Sequence, residues 1–336
     1  MHRRTLLTAA LALAAAGCAG PSTTSGSPAA SGSAPTSRAV IGLSYIPNVQ
    51  FAPFYVGVND KLFDPVPAQV SLRHHGATEG LFNALTSGAE HFLVAAGSEA
   101  MQARAEGVDV IAVGAYYKSF PVQVLALDSS PVQALADLKG RRLGVPGRYG
   151  ESWLAAQVAL NTAGLTEADV TIVEVGYTQV AALTTKKVDA VVGFTTNELV
   201  QLQLAGANPR ALPVAAGTVP LVSTCLLTTT AYAKKNPEVV RQVVQAVASA
   251  IEATAADQPK AIDIAATQIP GWTAAARPNA EAVLQASIDL MDVHDGTFGP
   301  ALDATQWAQM AEFLQSGKLI KTPVTATDAF TNTFAM

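Results

Sequence analysis

Short apolar strands alternate with helical segments from about residue 39 onward, and no other feature constrains the fold as strongly. The strand-like AVIGLS is followed by the helical PFYVGVNDKLF, the strand AQVSLRHH, the helix TEGLFNALTSG and the strand HFLVAAG. The pattern restarts after FPVQVLAL, with a strand at 142–145, a helix at 152–163 and the strands VTIVEVG and VDAVVGF. Alternating units of this kind build parallel sheets covered by helices. The sequence therefore predicts an α/β protein with two lobes.

The chain is expected to cross between the two lobes twice. We place the crossings near Leu127 and Leu221, as two hinge strands. The first lobe then comprises residues 39–126 and 222–336, and the second comprises residues 127–221. The part after residue 222 is mainly helical, and in NPEVVRQVVQAVASAIEA the cap Asn236 precedes Pro237 at the first helical position. Further helices are predicted at 279–291 and 305–315, packed on the first lobe.

The N-terminal segment has the layout of an export signal over residues 1–17. Arg3 and Arg4 precede an apolar run that is too short to remain as a membrane-spanning helix. The following AAGC resembles a lipobox, which would make Cys18 the lipid-bearing residue; plain secretion with an incidental cysteine is the alternative. The paired arginines also leave the twin-arginine route open. We expect a protein held by its lipid at the outer face of the cytoplasmic membrane.

Residues 18–38 are predicted to be a disordered tether. The segment AGPSTTSGSPAASGSAPTS carries no charge and no side chain large enough to form a core. With Cys18 taken by lipid, Cys225 is the only cysteine of the body, so no internal disulfide can form. The apolar content of 49% is sufficient for a core, and the net charge of −5 argues against a nucleic-acid partner. We expect a monomer.

Motifs for catalysis or metal binding are absent from the sequence. It has no Walker loop, dinucleotide fingerprint, zincin helix or nucleophile elbow. His74 and His75 are neighbours on a predicted strand and would point to opposite faces. His91 and His294 have no cysteine or acidic partner at ligand spacing. We therefore expect no metal, no cofactor and no enzymatic activity.

Four turn segments lie at predicted strand ends, where ligands bind in open α/β sheets. They are residues 45–55, AAGSEA from Ala95, GRYGESW from Gly147 and GFTTNE from Gly193. Two belong to each lobe, as a closing cleft requires. The sequence therefore predicts a site for a small molecule between the lobes.

Aromatic side chains of the first turn can stack on a flat ring. Tyr45, Phe51 and Tyr55 are candidates for this contact. Phe51 and Tyr55 could instead face the core, which is our assignment for Phe54. Asn48 could bind ring edges or form the turn after the preceding proline.

Polar residues of the other turns complete the candidate set. Ser152 could contact the ligand or cap its helix. Glu198 could accept hydrogen bonds from N–H or hydroxyl groups and repel a sulfonate, or it could be a solvated helix start. Tyr116 and Tyr117 are further candidates for lining the first lobe. The predicted ligand-binding residues are Tyr45, Asn48, Phe51, Tyr55, Ser98, Tyr117, Tyr149, Gly150, Ser152, Asn197 and Glu198.

Five segments in register resemble the NMT1/THI5-like family of periplasmic binding proteins, which includes aliphatic-sulfonate binders. They are YIPNVQFAPFYVG, DLKGRRLGVPGRYGESW, VDAVVGFTTNE, NPEVVRQVVQAV and ATDAFTNTF. The resemblance covers nearly all of the chain after the tether. It implies a type II periplasmic-binding-protein fold, in which two α/β lobes trap a ligand for the permease and ATPase subunits of an ABC importer.

Within that family, PN in the first segment and NE in the third resemble the branch that binds the thiamin pyrimidine precursor or riboflavin. The resemblance thus implies capture of a small heteroaromatic vitamin or vitamin precursor by lobe closure. A binder of a sulfonate or another small anion is the alternative, and a cation directed into the cleft from Arg148 would favour it. A pyrimidine synthase is a more remote alternative, because such enzymes carry a cysteine-rich motif that this chain lacks.

Overall fold

The computed structural model describes residues 37–76 and 79–335. The predicted signal peptide, Cys18 and all but the last two residues of the predicted tether lie outside the described residues. Within the described ranges, no helix combines the length and the apolar character needed to cross a membrane.

Ten strands and twelve α-helices follow one another in these ranges. Their order is β1 (Arg38–Leu43), α1 (Ala52–Asn59), β2 (Gln69–His74), α2 (Asn83–Ser87), β3 (Phe92–Ala96), α3 (Gly97–Ala105), β4 (Ile111–Ala115), β5 (Val122–Leu127), β6 (Arg142–Val145), α4 (Gly150–Thr162), β7 (Thr171–Glu174), α5 (Gln179–Thr184), β8 (Ala190–Phe194), α6 (Glu198–Leu204), β9 (Pro209–Pro213), β10 (Thr224–Thr228), α7 (Thr230–Lys235), α8 (Pro237–Ala256), α9 (Gln258–Ala266), α10 (Arg277–Met291), α11 (Ala304–Ser316) and α12 (Ala326–Ala329). Short 3-10 helices occupy Val49–Phe51, Leu135–Leu138, Glu167–Asp169 and Ala274–Ala276.

The strands form two five-stranded sheets of matching topology. The first has the order β2-β1-β3-β10-β4 and the second the order β7-β6-β8-β5-β9. In each sheet four strands run in the same direction, while β10 or β5 runs antiparallel to its two neighbours. The central strand β3, FLVAA, is buried throughout, as expected for a strand covered on both faces. The predicted pair of α/β lobes is confirmed.

Strand β5 corrects the predicted position of the first crossing. Its residues were assigned to the first lobe, but it pairs with β8 and β9 in the second sheet. The chain therefore changes lobe over residues 116–121, before β5, and returns over residues 214–223. An apolar run such as VQVLAL fits the centre of either sheet, so its composition does not indicate which one it joins.

The C-terminal helices pack on the first lobe as predicted. Helix α8 buries Val240, Val243, Val244, Val247 and Ile251, and it contacts α1 along its length. Asn236 precedes the helix, but its amide donates to a backbone carbonyl of the preceding turn and does not cap α8.

Trp307 anchors helix α11 to the first lobe. Its indole is fully buried and stacks on Phe330, with ring centroids 5.2 Å apart. The indole Nε1 has no hydrogen-bond partner in the described part of the chain. The ring therefore stabilises the fold through packing alone.

A buried carboxylate lies inside the first lobe, away from the lobe boundary. Glu90 accepts hydrogen bonds from Arg73 at 2.5 Å and bonds His75 at 2.9 Å. Gly42 in β1 leaves the necessary space, because a Cβ atom there would lie 2.2 Å from Glu90 Oε2. The network therefore ties β2 to the segment that precedes β3, beside Gly42 of β1.

Candidate functional site

The four predicted turns all lie at carboxyl ends of strands that face the lobe boundary. The first follows β1, and the second begins α3 directly after β3. In the second lobe, the turns after β6 and β8 lead into α4 and α6. Helix α3 contacts α4 across the boundary, and α10 contacts α6. The sheet topology thus brings turns from both lobes to one cleft.

A cavity of about 510 Å³ lies between α3, α4 and residues 318–321. This volume is in the range of roughly 300 to 1,000 Å³ that small-molecule sites occupy. Its walls include Phe82 and Glu99 from the first lobe and Tyr149, Gly150 and Trp153 from the second. The cavity is therefore shared between the lobes and is large enough for a ring compound.

Three tyrosines, here called the tyrosine trio, are the most exposed aromatic side chains of the described residues. Tyr45 is 44% exposed, Tyr149 58% and Tyr177 74%. The interaction with the Tyr149 side chain is the largest cause that raises the pKa of Tyr177 to about 12, so the two hydroxyls lie near each other. Tyr45 follows β1 of the first lobe, whereas Tyr149 and Tyr177 follow β6 and β7 of the second. Exposed aromatic surface of this kind is typical of binding sites.

Tyr177 was missed by the sequence analysis. It follows β7, so it occupies the same strand-end position as the turns that were singled out. The signal was available in VTIVEVGYTQ, since the parallel strand predicted there should also end at the cleft edge.

Phe51 and Tyr55 lie inside the first lobe, as in the core alternative. Tyr55 Oη is 3.0 Å from His74 Nε2, and the Phe51 ring meets the same imidazole edge-on at 5.7 Å. His74 Nδ1 in turn bonds the carbonyl of Tyr45 at 2.9 Å. Burial lowers the pKa of His74 and raises that of Tyr55. Both rings therefore support the backbone that presents Tyr45, and a direct ligand contact by them stays a prediction.

Asn48 forms the turn after Pro47, which was one of its two predicted roles. Its side-chain oxygen accepts a hydrogen bond from the backbone amide of Gln50 at 3.1 Å. The Gln50 carbonyl accepts a bond of 2.7 Å from the Tyr116 hydroxyl, and the Tyr116 ring stacks on Phe54. These contacts connect the first turn to the first crossover.

Tyr117 lies beside Tyr116 and is buried. Burial raises the pKa of Tyr117 to about 12, and the nearby Ser287 side chain partly offsets this rise. The neutral hydroxyl of Tyr117 therefore persists across the physiological pH range.

Two serine hydroxyls near the second crossover have no hydrogen-bond partner in the described ranges. They belong to Ser98 and Ser223, which are both buried. The backbone amide of Ser98 donates to the Val222 carbonyl at 3.1 Å, and that of Gly97 donates to the Ser223 carbonyl at 2.8 Å. Because a buried hydroxyl is costly without a partner, these two are available to a ligand or a water molecule.

Glu99 and Glu151, here called the acid pair, lie in the first turns of α3 and α4, two helices that contact each other across the lobe boundary. A Cβ atom on Gly150, the residue next to Glu151, would lie 3.4 Å from Glu99 Oε1. Burial raises the pKa of Glu99 to about 7. Burial, followed by repulsion from Glu99, raises the pKa of Glu151 well above its usual value. Glu151 Oε1 is buried with no hydrogen-bond partner among the described residues.

Both residues of the acid pair lie in predicted strand-end turns, but neither is among the predicted ligand-binding residues. Acidic residues are common in the first turn of a helix, where the dipole stabilises them. The sequence alone therefore gives no reason to assign Glu99 or Glu151 to a ligand site. Only the packing of α3 against α4 brings the two groups together.

Gly150 and Ser152 lie at the start of α4, beside the acid pair. Gly150 has φ of +68°, a left-handed conformation that glycine adopts without strain. Ser152 is buried in the first turn of the helix, and Tyr149 occupies the cap position. The structure thus places these predicted residues at the boundary between the lobes.

Glu198 is buried and is held within its own turn. Its carboxylate accepts hydrogen bonds from the Phe194 amide at 2.8 Å and from the Asn197 side chain at 2.9 Å. Burial raises its pKa in spite of these bonds. Asn197 is exposed and also bonds Gln201. A ligand contact by Asn197 or Glu198 stays a prediction.

The positive charge of Arg148 is bound within the second lobe. Its guanidinium pairs with Glu167, lies 3.5 Å from Glu174 and stacks over the ring of Trp153 at 4.8 Å. Within the described ranges, no group of three or more His, Cys, Asp or Glu side chains could hold a metal ion.

Comparison with known proteins identifies the family. Residues 48–261 match the family model described as NMT1/THI5 like. The riboflavin-binding protein RibY of Chloroflexus aurantiacus is 32% identical over 301 residues, which cover 88% of this chain and 86% of the relative. The formylaminopyrimidine-binding protein of Halalkalibacterium halodurans is 24% identical over 294 residues, 86% of this chain and 88% of the relative.

The fold is shared with a solved structure. The periplasmic aliphatic sulphonate binding protein SsuA from Escherichia coli superimposes with a TM-score of 0.69 at 18% identity, over 89% of this chain and 99% of that chain. This likeness confirms the predicted periplasmic-binding-protein fold. The family-model match and the near full-length relatives together show that this chain belongs to the NMT1/THI5-like family, as a binding protein and not an enzyme.

Proposed function

We propose that this protein is the extracytoplasmic solute-binding component of an ABC importer and that it captures a flat heteroaromatic vitamin, with riboflavin as the first candidate. The relative of 32% identity is named for riboflavin binding. The observation that carries the proposal is the tyrosine trio, three exposed rings that follow strand ends of both lobes, with Tyr149 lining the cavity between them.

The chemistry of the cleft suits riboflavin. Its fused ring system offers a flat face for stacking on tyrosine. Its ring N–H and its hydroxyl-bearing chain are hydrogen-bond donors that carboxylates and unpartnered serine hydroxyls can accept. Glu99, Glu151, Ser98 and Ser223 supply such acceptors near the same boundary.

A sulfonate or another small anion fits the same cleft poorly. The half-buried carboxyl groups of the acid pair would repel it, and Arg148 is already paired with acidic side chains of its own lobe. A formylaminopyrimidine remains the second candidate, because a relative of 24% identity is named for that ligand.

Capture would proceed by a population shift between open and closed lobes. A ligand that contacts the tyrosines of both lobes binds the closed state more tightly and stabilises it. The closed form would then be recognised by the permease, and hydrolysis of ATP by the ATPase subunits would drive uptake. The proposed place of action is the outer face of the cytoplasmic membrane, with the monomer anchored through lipid on Cys18.

The test is a riboflavin titration of the body from Arg38, followed by the loss of flavin fluorescence. Stacking on a tyrosine should quench the flavin, and we expect saturable quenching at micromolar or lower concentration. Formylaminopyrimidine and an alkanesulfonate serve as competitors. Absence of quenching would exclude riboflavin, and displacement by the alkanesulfonate alone would favour the anion alternative. Loss of labelled fatty acid in Cys18→Ala, measured in cells, tests the anchor separately.

A further inference from the structure

We propose that Glu99 and Glu151 hold one proton between them when the lobes close, so that ligand capture takes up about one proton. The first experiment below needs no ligand, and only the second rests on the proposed function. The device is a proton-linked closure of the cleft.

The two carboxylates come from opposite lobes and meet only through closure. Glu99 lies in the first turn of α3, and Glu151 is the second residue of α4. A Cβ atom on Gly150, at the start of α4, would lie 3.4 Å from Glu99 Oε1. When the lobes separate, both groups become solvated by water and regain the ordinary carboxyl pKa of about 4.3.

The cations around the acid pair do not neutralise it. Among the described residues, neither carboxylate forms a salt bridge. Lys118 donates to the Ala301 carbonyl at 2.5 Å and lies over the ring of Phe298. Arg148 is paired with Glu167. The other titratable groups facing the pair or its cavity are Tyr117, Cys225, Tyr149, Tyr177, Glu106, Lys318 and Lys321.

None of these groups supplies an unscreened positive charge that would stabilise both carboxylates in their ionised form. The two lysines at the cavity rim are exposed, so water and salt screen their charge. Tyr117, Tyr177 and Cys225 are neutral near pH 7, because their pKa values are raised. Two carboxylates that share a dry site cannot both ionise easily, and one of them retains its proton.

The sign of the linkage follows from these environments. Closing raises the pKa of both carboxylates above the open value, so the closed state binds more protons than the open state. Falling pH therefore favours closure. With one proton taken up, the closing equilibrium and the ligand affinity should rise up to about tenfold per pH unit as the pH falls from about 8 toward 6.

The first experiment measures the ligand-free body by small-angle X-ray scattering at pH 8.0 and 5.5. We expect the wild type to have a smaller radius of gyration at the lower pH. Glu151→Gln and Glu99→Gln each leave one carboxyl that is still perturbed by burial, so the change in radius between the two pH values should be smaller in both variants than in the wild type. Glu312→Gln makes the same charge change on an exposed face of α11 and should follow the wild type. A wild-type radius that does not change with pH, or a Glu151→Gln response equal to that of the wild type, would overturn the proposal.

The second experiment counts protons during riboflavin binding by calorimetry at pH 7.5, in buffers of different ionisation enthalpy. We expect uptake of about one proton by the wild type and by Glu312→Gln, and clearly less by Glu151→Gln, in which only Glu99 can take up a proton. Tight binding by the wild type without proton uptake would mean that donors of the ligand neutralise the pair instead, and it would overturn the proposal. Failure of riboflavin to bind any variant would refute the vitamin assignment, while the scattering result would stand.

Discussion

Replacement of Tyr177 by alanine tests the tyrosine trio directly. The side chain is 74% exposed, so its loss should leave the free energy of unfolding nearly unchanged. A ligand that covers roughly 50 Å² of the ring, about a quarter of what a tyrosine can bury, gains about 1.3 kcal/mol. Offset stacking adds about 0.5 to 1.5 kcal/mol. Because about 1.4 kcal/mol is a factor of ten, Tyr177→Ala should weaken riboflavin binding roughly 20- to 100-fold.

The assay is the fluorescence titration, with each variant first checked for an unchanged thermal midpoint. Tyr177→Phe keeps the ring and loses only the hydroxyl, so it should lose less than about fivefold in riboflavin affinity. Leu204→Ala removes an exposed apolar side chain at the far end of α6 and should bind like the wild type. Equal affinity of Tyr177→Ala and wild type would refute the stacking argument. Equal losses in the alanine and phenylalanine variants would assign the effect to the hydroxyl.

Three further predictions concern stability. Trp307→Ala should cost about 3 to 5 kcal/mol in urea unfolding, whereas Trp307→Phe should cost much less, because it keeps the stack on Phe330 and removes an unpartnered N–H. Glu90→Ala should cost about 3 kcal/mol in the same assay, since it leaves the buried His75 imidazole and the partly exposed Arg73 guanidinium without the carboxylate that bonds both. The hydrogen bond from Arg142 lowers the pKa of Asp189 in the folded state. The ionised Asp189 therefore stabilises the fold above its unfolded-state pKa, and this stabilisation is lost as the pH falls through its folded-state pKa. The difference in unfolding free energy between wild type and Asp189→Asn should narrow from pH 6 to pH 2.

Each of these has a contrary outcome that the same assays would detect. Equal costs for the two Trp307 variants would mean that the indole N–H finds a partner. A neutral Glu90→Ala would show that the first lobe rearranges around the lost carboxylate. A stability difference for Asp189→Asn that does not change with pH would remove the ion pair as its cause.

Strand and helix periods were sufficient to predict the lobes because they are local properties. Alternation of VDAVVGF-like strands with amphipathic helices is visible within windows of about ten residues. The position of β5 was not predictable in the same way, because either sheet would bury an apolar strand equally well. Its pairing with β8 and β9 is a choice between distant partners.

The residues of the candidate site likewise differ in whether local sequence was sufficient to predict their position. Tyr45 and Tyr149 could be chosen from the sequence, because each follows a recognisable strand and stands at its carboxyl end. Phe51 and Tyr55 could not be assigned between core and cleft, since a residue on a short helix next to a strand end can face either way. Their packing on His74 depends on β2, which lies some twenty residues further along the chain.

The sequence by itself determined the class of fold, the two-lobe organisation, the strand-end turns and the family resemblance, because each depends on residues close together in the chain. Only the tertiary structure decided which of the turn residues meet. The contact of α3 with α4 brings Glu99 against Glu151, and the ends of β6 and β7 bring Tyr149 to Tyr177. The physical reason is that desolvation and charge repulsion depend on distance in space, and residues about fifty positions apart acquire that distance only when the lobes pack.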